Sequence, residues 1–496
     1  MKTPIPISPL RKQGLGQVES RPGLLRVLGP GMAMAMVVGN VIGSGIFAKP
    51  GTIAADAGQF HLIIAAWICG GGLCVLGGLC FAELAVMLPH AGGIYVYLRE
   101  AYGRPVAFLF GWSEFLFGRP ASIGALAVIF IGALGKSAGW EFGTWWIIPL
   151  SMALIFLLAW INVLGVIWGG RLQAATTLVK AGFLGLLAAL PFSLMFAGLP
   201  GVEPANYHSN IIPKQSSPTT QFAAAMLAVM WAYNGWHAIT PIAEEVRNPR
   251  RNIPLALFGG IGLLVVLYLS ANIAYHGVLT MGEVSASGEE AAQAMIHKLL
   301  EPYGETLASW GVVIMSAVIM CSTFGGINSN LLNGPRVTFA MGRDDVFLRQ
   351  LGRVHVNYRT PAIAIAVQAV MAVLLVIASG VLVETFESFK DRNIFGMLTD
   401  YVIFSASIFY MLAVFAVIVL RYKHPDWERP YRTIGYPVVP LLYLCFYAWF
   451  LYQIYDYKPF EAQVGIGLIV LGLPVYYAWR AWAVRHPEVA RGGMAK

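Results

Sequence analysis

Gly39-Asn40-Val41-Ile42-Gly43-Ser44-Gly45-Ile46-Phe47 interrupts an otherwise apolar run near the start of the chain. The run is about 20 residues long, enough to cross a bilayer as a helix. Three glycines and a serine are poor material for the middle of such a helix, since each Gly costs roughly 1 kcal/mol against Ala. Unwound backbone inside hydrocarbon also leaves N–H and C=O groups without partners, and it persists only where it lines a cavity. A second interruption, Trp231-Ala232-Tyr233-Asn234-Gly235-Trp236-His237, follows about 190 residues later. Two broken spans in corresponding places of two halves are the sequence mark of a secondary transporter's binding site.

The composition agrees with a membrane setting. The chain has 496 residues, of which 57% are hydrophobic and 12% charged, where a soluble domain carries about 25% charged residues. The apolar residues fall in twelve candidate spans near 30–55, 62–88, 105–134, 145–165, 172–197, 220–245, 253–279, 306–340, 361–383, 394–421, 436–456 and 463–482. An even number puts both termini on one side. Of the 33 lysines and arginines, 24 fall on the side of the termini and 7 on the other, with Arg119 and Lys180 inside the spans. The positive-inside rule therefore places both termini in the cytoplasm. Residues 1–29 read as a cytoplasmic tail and not a signal peptide, because no apolar h-region precedes a cleavage site. Residues 483–496 read as a second tail. The net charge of +8 is spread over short loops, so anionic lipid headgroups account for it and no nucleic-acid partner is implied.

Spans one to five (30–197) and six to ten (220–421) have similar lengths, and each set opens with a broken span. An odd number of spans per half inverts the second half in the membrane. Residues 30–421 are thus read as a transport core of two inverted repeats, and 436–482 as two additional spans. The five cysteines (Cys69, Cys74, Cys80, Cys321, Cys445) lie in apolar stretches with no zinc-ligand spacing and read as packing residues. There is no GxxxxGK[ST] phosphate loop and no HExxH motif, so no cofactor or metal is implied. A polytopic enzyme would need a converging nucleophile and base, and a channel would need repeated filter loops. Neither pattern appears.

Several segments resemble the amino acid–polyamine–organocation superfamily and its L-type amino acid transporter branch. The first-span stretch from Gly39 to Phe47 resembles the superfamily's substrate motif. Tyr233-Asn234-Gly235-Trp236 through Glu244-Glu245-Val246-Arg247-Asn248-Pro249 and Arg251-Asn252-Ile253-Pro254 is similar to the branch's sixth span and following loop. Trp112-Ser113-Glu114 with Arg119-Pro120 resembles the third span. Phe324-Gly325-Gly326-Ile327-Asn328 with Arg336 and Gly342-Arg343 resembles the eighth, and Arg429-Pro430-Tyr431-Arg432 the loop before the eleventh. The resemblance implies an all-α integral membrane protein of the LeuT-type five-plus-five fold, transporting free amino acids by alternating access at the plasma (inner) membrane. Animal members of the branch join a glycoprotein through a cysteine after span three. The corresponding loop here, 135–143, has no cysteine, which fits a stand-alone carrier of bacterial type.

A zwitterionic amino acid presents one carboxylate and one ammonium. Free amides of Gly43, Ser44 and Gly45, at the positive end of a half-helix, suit the carboxylate. Carbonyls released at Val41, Trp231 and Asn234 suit the ammonium, and Ile42 completes the first-span motif. Close helix packing is the structural alternative for these glycines. By resemblance Trp231 is a gate over the substrate and His237 a side chain facing the site, though a packing histidine reads equally from the residue alone.

Lys180 is an ammonium in an apolar run, a placement costing about 2.5–3.5 kcal/mol on insertion scales. The resemblance implies that it takes the place of sodium and bridges the first and eighth spans, with Ser322 and Thr323 as partners; snorkelling to the interface is the alternative. Transport is then sodium-independent, by exchange or by proton symport. Glu114 and Arg119, five residues apart, do not face each other as i,i+4 pairs do, and read as a structural ion pair or as a proton path. Glu83 and Asp400 are weaker intramembrane candidates. Tyr401 and Phe404 are candidates to close the pocket. The pocket offers no obvious carboxylate for a cationic substrate unless Glu114 or Asp400 reaches it, and neutral apolar amino acids are the expected cargo.

Overall fold

The computed structural model describes residues 24–215, 217–385 and 394–485. Among these the chain is helical, and the one β contact is an isolated bridge between Leu28 and Val246. Eleven helical stretches are long and apolar enough to cross a membrane. The twelfth expected span, the sixth in order, is Pro218–Tyr233. Its 16 residues fall short because the helix stops at the second interruption.

The first span runs as Pro30–Val41, breaks over residues 42–44, and resumes as Gly45–Ala48 and Pro50–Ala57. Ile42 at the break has φ −69° and ψ 81°, and the Gly43 amide donates to the Val41 carbonyl at 2.7 Å. This is an inverse γ-turn, which diverts the helix without a left-handed residue. The sixth span is broken more thoroughly. Asn234 leaves the helical region at ψ 139°, Gly235 takes φ 94°, and turns continue to a short 3₁₀ segment at Ala243–Glu245. Only glycine adopts that φ without strain, and Pro241 lacks an amide to rebuild a helix. The break is therefore not followed by a second long half-helix.

The fifth span corrects its expected start. It begins at Val166, one residue after the fourth ends at Leu164. Gly165, at φ 154°, reverses the chain alone, so the residues expected to form a loop from 165 to 172 are helical.

Burial ranks the spans. The first is 83% buried, whereas the fifth (Val166–Phe196), the eleventh (Val438–Tyr457) and the twelfth (Pro459–Arg485) are each 28% buried. The broken first span is therefore a central axis. It packs against the fifth, the seventh (Pro249–Val278) and the eighth (Glu305–Asn333). The last two spans lie at the periphery and close on the third and tenth.

Ion pairs tie the arginine-rich end. Glu245 and Arg336, both essentially buried, pair at 2.9 Å. The Glu245 carbonyl accepts from the Val27 and Leu28 amides, each at 3.0 Å, so the start of the first span, the end of the sixth and the end of the eighth are joined. Arg343 pairs with Glu244 at 2.9 Å and Arg99 with Asp344 at 2.5 Å. Glu83, on the second span (Phe60–Met87), pairs with Arg421 of the tenth at 2.6 Å and accepts from the Thr433 amide at 2.6 Å.

Candidate substrate site

The two breaks face each other. The Asn40 amide donates to the Gly235 carbonyl at 3.3 Å. The Tyr268 hydroxyl, from the seventh span, lies 2.8 Å from the Val41 carbonyl and 3.2 Å from that of Ala232. One side chain thus serves a carbonyl from each interrupted helix. On the eighth span, the Ser322 hydroxyl lies 2.9 Å from the Ile42 carbonyl and 3.1 Å from that of Gly43. The Lys180 ammonium, fully buried, donates to the Gly39 carbonyl and lies 3.5 Å from the Ser322 carbonyl. Carbonyls that the break takes from the helical ladder are met by donors from three other spans. That satisfies the demand that buried backbone groups find partners.

Donors are left over where the carboxylate was expected. The Ser44 and Gly45 amides have no acceptor among the described residues, and the buried Ser44 hydroxyl is also unpartnered. The Gly43 amide is engaged in the γ-turn. Of the carbonyls expected to meet an ammonium, Val41 already accepts from Tyr268 and Gly43, and Trp231 accepts from the Asn234 amide at 3.0 Å.

A cavity of about 30 Å³ opens between the breaks. Val41, Gly43, Ser44, Gly45, Trp231 and Asn234 line it from the two broken spans. Asn40, Arg119, Ser122, Leu126 and Asn330 complete the wall. The wall is thus more polar than apolar.

Glu114 and Arg119 form a pair at 2.5 Å, and Arg119 also donates to the Asn330 side chain at 3.0 Å. The five-residue spacing works because Glu114–Gly118 is a π turn. Its i→i+5 repeat brings together residues that an α-helix would hold about 140° apart around its axis. The guanidinium reaches the cavity wall already neutralised by Glu114.

The remaining candidates lie apart from the cavity. Ile42 contributes its carbonyl to Ser322 and is not on the wall. His237 sits against Phe81, Trp236 and Tyr410, with ring centroids 5.9, 5.5 and 4.8 Å away. Thr323 bonds back to the Ile319 carbonyl at 2.8 Å and does not reach Lys180. Phe404 is buried on the tenth span. The side chains of Tyr401 and Asp400 lie outside the described residues.

Sequence reading missed Tyr268, Tyr410 and Asn330. Tyr410 donates to the Asn234 side chain at 2.7 Å and so braces the second break. A lone tyrosine in an apolar run gives no sign of which distant carbonyl it serves.

The amino acid permease family profile matches residues 28–475. The chain belongs to this family. The permease is 33% identical over 462 residues to the serine/threonine exchanger SteT of Bacillus subtilis, covering 92% of this chain and 98% of that protein. It is 30% identical over 470 residues to the Asc-type amino acid transporter 1 of Mus musculus, covering 93% and 82%. It is also 30% identical over 465 residues to the large neutral amino acids transporter small subunit 2 of Homo sapiens, covering 92% and 81%. The permease is accordingly a multi-pass secondary transporter and not an enzyme.

Proposed function

We propose that the permease exchanges small, neutral, polar amino acids across the plasma (inner) membrane without sodium, with both termini cytoplasmic and without a disulfide-linked glycoprotein partner. The observation that carries this reading is Lys180. Its ammonium donates to a first-span carbonyl and lies near an eighth-span one. A fixed positive charge there does the work of a bound cation, so none need enter with the substrate. Proton symport would require the two conformations to differ in proton affinity; a lysine that keeps its carbonyl partners throughout leaves exchange.

The site residues divide the substrate between them. The Ser44 and Gly45 amides and the Ser44 hydroxyl take the carboxylate. Carbonyls at the sixth-span break take the ammonium, and Trp231 closes over it. Asn234, Ser122 and Asn330 surround the side chain. These side chains already bond within the protein, to Tyr410, Gly118 and Arg119, but the polar wall they form still offers a hydroxyl more partners than it offers the apolar side chain expected from the sequence. The name of the serine/threonine exchanger agrees with this choice.

The test is uptake of labelled threonine into proteoliposomes. Uptake only into vesicles preloaded with serine or threonine, unchanged when choline replaces sodium, is the expected result. Accumulation in empty vesicles under an inward proton gradient would replace exchange with symport. Strict sodium dependence would remove the role given to Lys180.

A further inference from the structure

A cavity of about 510 Å³ lies far from the breaks, at the arginine-rich end of the bundle. It shares no residue with the substrate cavity. Arg104, at the start of the third span, Arg349, in the loop after the eighth, and Arg480, near the end of the twelfth, stand on its wall with Phe347, Tyr476 and Trp479. One carboxylate, Asp345, accompanies these three guanidinium groups, and it is taken by Arg349 at 2.5 Å. Arg104 and Arg480 have no carboxylate partner among the described residues. The wall therefore has surplus positive charge and an aromatic floor.

We propose that this cavity seats the phosphate-bearing headgroup of an anionic phospholipid from the surrounding leaflet. The chemistry is that of a phosphate diester. Arg104 and Arg480 meet the phosphate oxygens. Phe347 and Tyr476 cover the glycerol and the first methylenes. Basic pockets between spans on the cytoplasmic side suit such headgroups. The lipid is favoured over a soluble anion because the twelfth span brings an interfacial aromatic belt with it. Trp479 and Trp482 pack with ring centroids 5.2 Å apart, and Tyr477 beside them is 56% exposed. The assignment to the cytoplasmic leaflet rests on the orientation given above, whereas the site itself does not depend on the substrate or the coupling.

The probes are dioctanoyl phosphatidylglycerol, dioctanoyl phosphatidylcholine and inorganic phosphate, each titrated onto the delipidated full-length protein in neutral detergent and read by native mass spectrometry. Phosphatidylglycerol is expected to bind with one tight stoichiometric site, above phosphatidylcholine, and to resist competition by inorganic phosphate. A basic residue near anionic headgroups contributes about 1 kcal/mol, or roughly fivefold. The double variant Arg104→Gln/Arg480→Gln should therefore lose roughly thirtyfold in affinity. Arg171→Gln/Arg353→Gln, which alters arginines outside the cavity, should lose little. A monodisperse size-exclusion profile and a parental melting temperature in detergent show that the variants are folded. Equal affinity for the two lipids, or parental affinity in the cavity variant, overturns the proposal. An equal loss in the control variant shows diffuse attraction and overturns it too. Displacement by equimolar phosphate assigns the cavity to a soluble anion instead of a lipid.

Discussion

Gly43 and Gly45 both lie in the first break, yet the structure sets them unequal tasks, and replacing each by alanine separates these. A Cβ on Gly43 would come 3.6 Å from Leu126 Cδ2 and 3.8 Å from the Val41 carbonyl, which is ordinary contact. A Cβ on Gly45 would collide with the Ala232 Cα and lie 2.8 Å from its Cβ and 3.1 Å from its nitrogen. Relaxed carbon contacts are about 3.5–4.0 Å, and an obstacle made of backbone has no rotamer with which to yield. The sixth span must shift by several tenths of an ångström or more. Overpacking of this kind costs about 1–3 kcal/mol. If the cost falls on the closed arrangement that grips substrate, its population drops roughly 5- to 150-fold, and the apparent affinity with it. Gly43→Ala should change the KM for threonine by less than about threefold, whereas Gly43→Leu fills the cavity and abolishes uptake. The assay is initial-rate exchange in proteoliposomes, normalised to monodisperse protein recovered by size exclusion. Parental kinetics in Gly45→Ala, or equal damage from both alanines, would refute the close approach of the two broken spans as the basis of the site.

Three further outcomes follow from named contacts. Lys180→Ala removes the donor to the Gly39 carbonyl, and exchange should fall at least tenfold with the protein still in the membrane; unimpaired exchange would show that the lysine has no part in coupling. Glu114→Gln releases Arg119 on the cavity wall, so aspartate or glutamate should inhibit threonine uptake in the variant and not in the parent, and an unchanged inhibition profile would place Arg119 outside the selectivity of the site. Removing one member of the buried Glu245–Arg336 pair strands the other and should cost about 3–5 kcal/mol, seen as a lower melting temperature in detergent for Arg336→Leu. Glu245→Leu/Arg336→Leu should recover much of the loss, and a double variant no better than the single would deny the coupling.

The breaks were legible in the sequence because glycine and serine inside an apolar run violate both helix propensity and membrane burial. Of the donors that answer the breaks, Lys180 and Ser322 were reached in that role only through the family resemblance, and Tyr268 was not reached at all. Ser322 meets Ile42 across 280 positions, and Lys180 meets Gly39 across 141. Tyr268 meets Val41 across 227. No local pattern distinguishes these side chains from any other buried hydroxyl or amine, since their partners exist only once the spans pack. Lys180 stood out solely because a charge is costly there. Glu114 and Arg119 were read as an ion pair or a proton path although the α-helical repeat argues against their facing each other, and the π turn is what lets the five-residue spacing pair.

One requirement links what could be read with what could not. Each interrupted helix releases carbonyls and amides into a region without water, and each of these groups needs a partner. The carbonyls are met from within the protein, by Tyr268, Ser322 and Lys180. The Ser44 and Gly45 amides and the Ser44 hydroxyl are not. The unanswered groups at the first break are the donors of Ser44 and Gly45 together with one acceptor, Asn40 Oδ1; the donors are what we propose a substrate carboxylate meets, since it is the strongest acceptor an amino acid carries. The same count shows what holds the Lys180 ammonium at its carbonyls in this conformation: moving it would leave Gly39 unanswered as well as a charge unpaired.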